Sequence, residues 1–64
     1  MRTWLIDLRK QQNLSQSEVA QAAKISQPSY CNIENGKLNP KPKTAKRIAD
    51  VLRFDWTEFF KESA

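Results

Sequence analysis

Gln27, Ser29 and Asn32 fall close together in the segment ISQPSYCNIENGK, residues 25–37. All three carry uncharged hydrogen-bonding side chains. Amides on an exposed helix start can read adenine in the DNA major groove, through its N6 and N7 edges. Other chemistry is poorly provided for. The chain has no histidine and one cysteine, Cys31, which leaves no catalytic pairing and no metal cluster. Positive charge is what surrounds the segment. From Lys24 to Arg47 six basic residues (Lys24, Lys37, Lys41, Lys43, Lys46, Arg47) meet one acid, Glu34, whereas the remainder carries five basic and six acidic residues. Such a field favours a polyanion, although a lysine cluster can also be a plain solvated face.

The elements that must position these residues are short. At 64 residues the chain is expected to be one domain, 1–64, near the lower size limit for independent folding. No apolar run is long enough to span a bilayer, and the unpaired cysteine fits a reducing compartment. A cytoplasmic protein without cofactor, metal or small-molecule ligand is expected.

Helical spacing of Trp4, Leu5 and Leu8 predicts a first helix, with Thr3 as a possible N-cap and Asn13 at its end. Ser15 and Glu18 form a capping box for helix two, about residues 16–23, and Leu14 with Val19 is spaced as a hydrophobic staple. Ser26 repeats the device for helix three, about residues 27–35, with Ile25 and Tyr30 as its staple and Gly36 as its terminator. Pro42 suits the first turn of a fourth helix, whose apolar face is Ala45, Ile48, Ala49 and Leu52. Asp55 with Glu58 is expected to cap a last short helix, with Phe54 and Phe59 as a third staple. The expected fold is all-α, a compact bundle of five short helices.

Helices two and three, joined by a short turn, match a helix-turn-helix. In that arrangement Gln27, Pro28, Ser29, Cys31 and Asn32 face outward, and Tyr30 and Ile33 inward. The series LSQSEVAQAA, ISQPSYCNIENGK, NP, KTAKRIADVL, DW and FF resembles the phage-repressor (Cro/xenobiotic-response-element) type of helix-turn-helix regulator, from about Trp4 to Phe60. The ending FDWTEFF resembles that of small regulators of prophages and mobile elements in low-GC Gram-positive bacteria.

The resemblance implies a lambda-repressor-like DNA-binding domain that binds double-stranded operator DNA, usually as a two-fold homodimer. By position it places Gln27, Pro28, Ser29 and Asn32 against bases. It places Gln16, Asn35, Lys37, Lys41 and Lys43 against phosphates, and makes Arg9 and Glu34 an ion pair joining helices one and three. Members usually carry glycine where this chain has Asn13, Lys24 and Arg53. Lys and Arg there would cost roughly 1–2 kcal/mol each if the left-handed conformation is kept. Pro28 could meet a thymine methyl or simply stiffen the helix start, and Cys31 reads better as a small filler than as a redox switch.

A single recognition helix reads few base pairs, so a dimer is expected, with its interface around Phe54, Trp56, Phe59 and Phe60. The function expected is that of a transcriptional regulator, a repressor or Cro-like switch of a phage or mobile element, without catalytic activity. Two alternatives stay open: an autorepressing antitoxin that also binds a toxin, and an interaction module that has kept the fold without binding DNA.

Overall fold

The computed structural model describes residues 1–61. Its five helices are α1 Thr3–Gln11, α2 Gln16–Ala22, α3 Gln27–Glu34, α4 Pro42–Leu52 and α5 Glu58–Lys61, with no strand among the described residues. The fold is therefore all-α and helix-turn-helix in kind, as expected. Helix starts follow the local chemistry. Ser15 accepts from the Glu18 N–H at 3.1 Å while the Glu18 carboxylate accepts from the Ser15 N–H at 2.9 Å, closing the capping box. Ser26 accepts from the Ser29 N–H at 3.3 Å, and Pro28 sits in the first turn, where no intrahelical partner is lost.

Three local expectations are corrected. Thr3 is the first helical residue and Arg2 the N-cap, with no side-chain capping bond. Ala23 and Asn35 are C-caps, so α2 and α3 each end one position before the expected boundary. Asp55 does not form a box with Glu58. Its Oδ1 accepts from the Thr57 N–H at 3.0 Å and the Thr57 hydroxyl at 2.8 Å, and the Glu58 carboxylate accepts from Lys61 at 3.0 Å instead. The Asp side chain bonds the backbone two residues on more readily than three, making a turn before the helix.

Helix ends share one device. The N–H groups of Leu14, Ile25, Lys37 and Phe54 each reach back five residues, to the carbonyls of Arg9, Ala20, Asn32 and Ala49, at 2.9–3.2 Å. The residue before each is left-handed, with φ of 58° at Asn13, 61° at Lys24, 81° at Gly36 and 61° at Arg53. At Asn13, Lys24 and Gly36 the left-handed residue's own N–H also reaches back three residues, completing the Schellman ending, whereas the Arg53 N–H reaches the Ala49 carbonyl instead. Leu14 and Ile25 thus close one helix and, as the residue preceding the next N-cap, open another, whereas Phe54 closes α4 ahead of the Asp55 turn. Shared residues of this kind explain how helices follow so closely with one glycine among four such turns.

The core is built from Leu5, Val19, Ala20, Ala23, Tyr30, Ile33, Ala45, Ile48, Leu52 and Phe59, with Trp4, Leu14, Ile25, Val51, Phe54 and Trp56 packed around it. Trp4, Phe54 and Phe59 meet edge to face, with ring centroids 5.2–5.6 Å apart. Gln12 donates to the Leu52 carbonyl at 2.6 Å, tying the end of α1 to that of α4 and satisfying a helix-end acceptor.

Candidate nucleic-acid interface

The turn between α2 and α3 needs Lys24 in the left-handed region, and its backbone N–H donates to the Gln21 carbonyl at 3.1 Å. From there α3 packs against α2 through its inner face. Tyr30, Ile33 and Glu34 are buried, whereas Gln27, Pro28 and Asn32 are exposed and Ser29 and Cys31 half-buried. Gln27, Pro28 and Asn32 are therefore presented to solvent as expected, while Ser29 and Cys31, also expected outward, are partly covered.

Ser29 is partly engaged. Its oxygen accepts from the Ser26 hydroxyl at 2.8 Å, which leaves its own O–H able to donate. Ser29 also shares a cleft of about 220 Å³ with Lys41, floored by Ile25, Ile33 and Leu38 and edged by Asn39 and Thr44. Residues from α3 and from the segment before α4 are thereby brought to one surface. Lys37, Lys41 and Lys43 are all exposed, and Lys37 follows Gly36 at the end of the α3 turn. Asn35 is half-buried and donates to the Cys31 sulfur at 3.6 Å.

Behind this face lies an ionic network. Arg9 Nε donates to Glu34 Oε2 at 2.6 Å, and Arg9 Nη1 to the Leu14 carbonyl at 2.9 Å. The expected pair is present, and it is nearly dry: the Glu34 side chain is 1% accessible and that of Arg9 14%. Gln16 donates its amide to Glu34 Oε1 at 2.9 Å. One Gln16 N–H is therefore committed inward and the other remains for an outside acceptor. Burial pushes the Glu34 carboxyl pKa up, but hydrogen bonds from Arg9 and Gln16 and the Arg9 charge outweigh it and hold the group below its usual range. Arg9 is raised in turn by its bond to Glu34. The Tyr30 hydroxyl is buried and makes no hydrogen bond of ordinary geometry. Burial and the neighbouring Glu34 charge push its pKa far above the usual phenol range.

Arg2 is a functional-site neighbour that sequence reasoning missed. It is 6% exposed. Its backbone N–H donates to the Glu34 carbonyl at 2.7 Å. Its guanidinium donates to the carbonyls of Ile33 and Leu38, the latter at 3.0 Å, and to Asn39 Oδ1 at 2.5 Å. No local pattern signals this, because the partners lie more than thirty positions away.

The aromatic residues expected at a dimer interface separate into two groups. Phe59 is a core residue at 4% exposure, and Phe54 packs against it. Phe60 is 46% exposed and meets Trp56 edge to face at 5.3 Å, with Lys46 Nζ 4.9 Å above the Trp56 ring. Among the described residues no helix is long and apolar enough to cross a membrane.

Comparison with known proteins agrees with this geometry. An HTH-type transcriptional regulator of Bacillus subtilis (strain 168), YqaF, is 44% identical over 62 residues, covering 97% of this chain and 82% of that protein. The ImmF control region 10 kDa protein of Bacillus phage phi105 is 41% identical over 49 residues, covering 77% of this chain but only 54% of the phage protein. No solved structure matches. Residues 5–59 match the helix-turn-helix family, and with these relatives the chain belongs to the phage-repressor type of helix-turn-helix transcriptional regulators, a DNA-binding family.

Proposed function

We propose that the protein is an operator-binding repressor or Cro-like switch of a phage or mobile element, reading the major groove with the start of α3. The observation that carries this reading is the exposure of Gln27, Pro28 and Asn32 on a helix whose other face is locked into the core by Tyr30, Ile33 and Glu34. A side chain can discriminate bases only if its helix is held rigidly while its tip stays free. Asn32 and Gln27 supply amides suited to adenine, Ser29 a hydroxyl donor, and Pro28 an apolar contact for a thymine methyl. Lys37, Lys41 and Lys43 meet phosphates with Asn35 and the free N–H of Gln16, so binding weakens steeply with salt.

A two-fold homodimer sets two α3 helices about one DNA turn apart, with Phe60 and Trp56 as the apolar contact between copies. Repression follows from occupying a promoter, and no catalytic step is involved. Regulation of a phage or mobile element is supported by the likeness to the ImmF control region protein.

Selection of bound sequences from random DNA at two salt concentrations tests the proposal. A two-fold-symmetric site, bound more weakly at the higher salt, is expected. Enrichment of nothing, with no salt-sensitive binding, refutes it.

A further inference from the structure

Lys37 stands between two clamped points. On one side the Arg2 side chain reaches the Ile33 carbonyl and the Arg2 backbone N–H reaches the Glu34 carbonyl; on the other the same guanidinium reaches the Leu38 carbonyl and the Asn39 side chain. The turn itself is closed by the Lys37 and Leu38 N–H groups, both donating to the Asn32 carbonyl at 2.9 and 3.2 Å. Arg2 also lies over the Phe59 ring, 5.4 Å from its centroid, so the clamp is anchored in the core. A fixed cation beside the last carbonyls of α3 is favoured by the helix dipole, and a planar fork can hold several acceptors in one geometry where a flexible ammonium cannot.

We infer that Arg2 is a positioning residue for DNA binding: it fixes the 35–39 turn so that Lys37 is held ready for a phosphate. Arg2 touches no DNA in this account, and the inference rests on the proposed role of Lys37. An unfixed lysine in a loose turn must be ordered when DNA binds, which lowers its contribution to affinity.

A double-mutant cycle tests this, with operator affinity measured for wild type, Arg2→Ala, Lys37→Ala and the double variant, and with thermal melts confirming the folded fraction. Each single change is expected to weaken binding roughly fivefold, the size of one ordinary hydrogen bond, and Lys37→Ala to lower the salt slope by about one phosphate contact. The double variant should be little weaker than either single variant, and base preference should be unchanged in all.

Asn39→Ala, at an exposed position, removes one guanidinium partner without touching the core. It should reproduce part of the Arg2→Ala loss, which keeps the test valid if Arg2→Ala unfolds. Additive effects of Arg2→Ala and Lys37→Ala, or full affinity in Asn39→Ala, overturn the positioning role while leaving operator binding standing. Absence of DNA binding by the wild type overturns both.

Discussion

Arg53 ends α4 at φ 61°, and its replacement by glycine should stabilise the protein. A side chain with a Cβ in this region costs about 1–2 kcal/mol, because the Cβ crowds the following carbonyl. Glycine removes that cost but adds backbone entropy to the unfolded chain, worth about 0.5–1 kcal/mol. At the middle of both ranges the balance is a gain of about 0.75 kcal/mol. Nothing offsets it in the folded state, since the exposed Arg53 side chain has no hydrogen bond or ion pair among the described residues. In a domain of this size each kcal/mol moves the melting temperature by roughly 4–8 °C. Arg53→Ala serves as the control, because alanine keeps the Cβ. Thermal and urea melts followed by circular dichroism should show Arg53→Gly above wild type and Arg53→Ala close to it. Lys24→Gly should behave as Arg53→Gly does, and Asn13→Gly should gain less, because asparagine tolerates the left-handed region. An Arg53→Gly variant melting at or below wild type would mean that the left-handed arginine carries no net strain.

Arg9→Met should cost about 3–5 kcal/mol by stranding the buried Glu34 carboxylate, a large share of the roughly 3–10 kcal/mol available to a chain of this length; pairing it with Glu34→Leu should restore most of the urea midpoint. The Glu34 pKa is depressed on folding, so its contribution is fully present above its unfolded value near 4.5 and is lost as pH falls through the lower folded value. Urea melts between about pH 6 and pH 3 should therefore show a steeper acid loss in wild type than in the Arg9→Met, Glu34→Leu variant. Phe59→Ala should destabilise by about 3–5 kcal/mol as a core truncation. Phe60→Ala, at an exposed position, should leave stability within about 0.5 kcal/mol and shift a monomer–dimer equilibrium measured by sedimentation.

Much of the fold was legible because its signals are local. The serine caps, Pro42 and Gly36 each act within a turn of chain, and the structure uses all of them, with Leu14 and Ile25 packed against the core. The exposed start of α3 followed from two closely spaced caps, the helical period and the helix-turn-helix geometry they imply. What could not be read depends on distant partners or on competition between near-equal local choices. Arg2 looks like one more surface charge until the chain folds and brings Ile33, Leu38 and Asn39 to it. Gln16 gives one of its amide hydrogens to Glu34, a link that spans two helices. Asp55 had two ways to serve its backbone and took the shorter one. Phe59 and Phe60 are neighbours in sequence and chemically identical, yet one is core and the other surface, because a helix turns about 100° per residue.

On the proposed reading, side chains at the start of α3 choose the base sequence while the surrounding lysines hold the backbone. Affinities of Asn32→Ala and Lys37→Ala for a selected site and its single-base variants test it most directly. Asn32→Ala should lose discrimination at one position per half-site, by about 1–3 kcal/mol, and Lys37→Ala should weaken every sequence alike. Uniform weakening by Asn32→Ala, or unaltered base preference, would mean that α3 does not read the bases through Asn32.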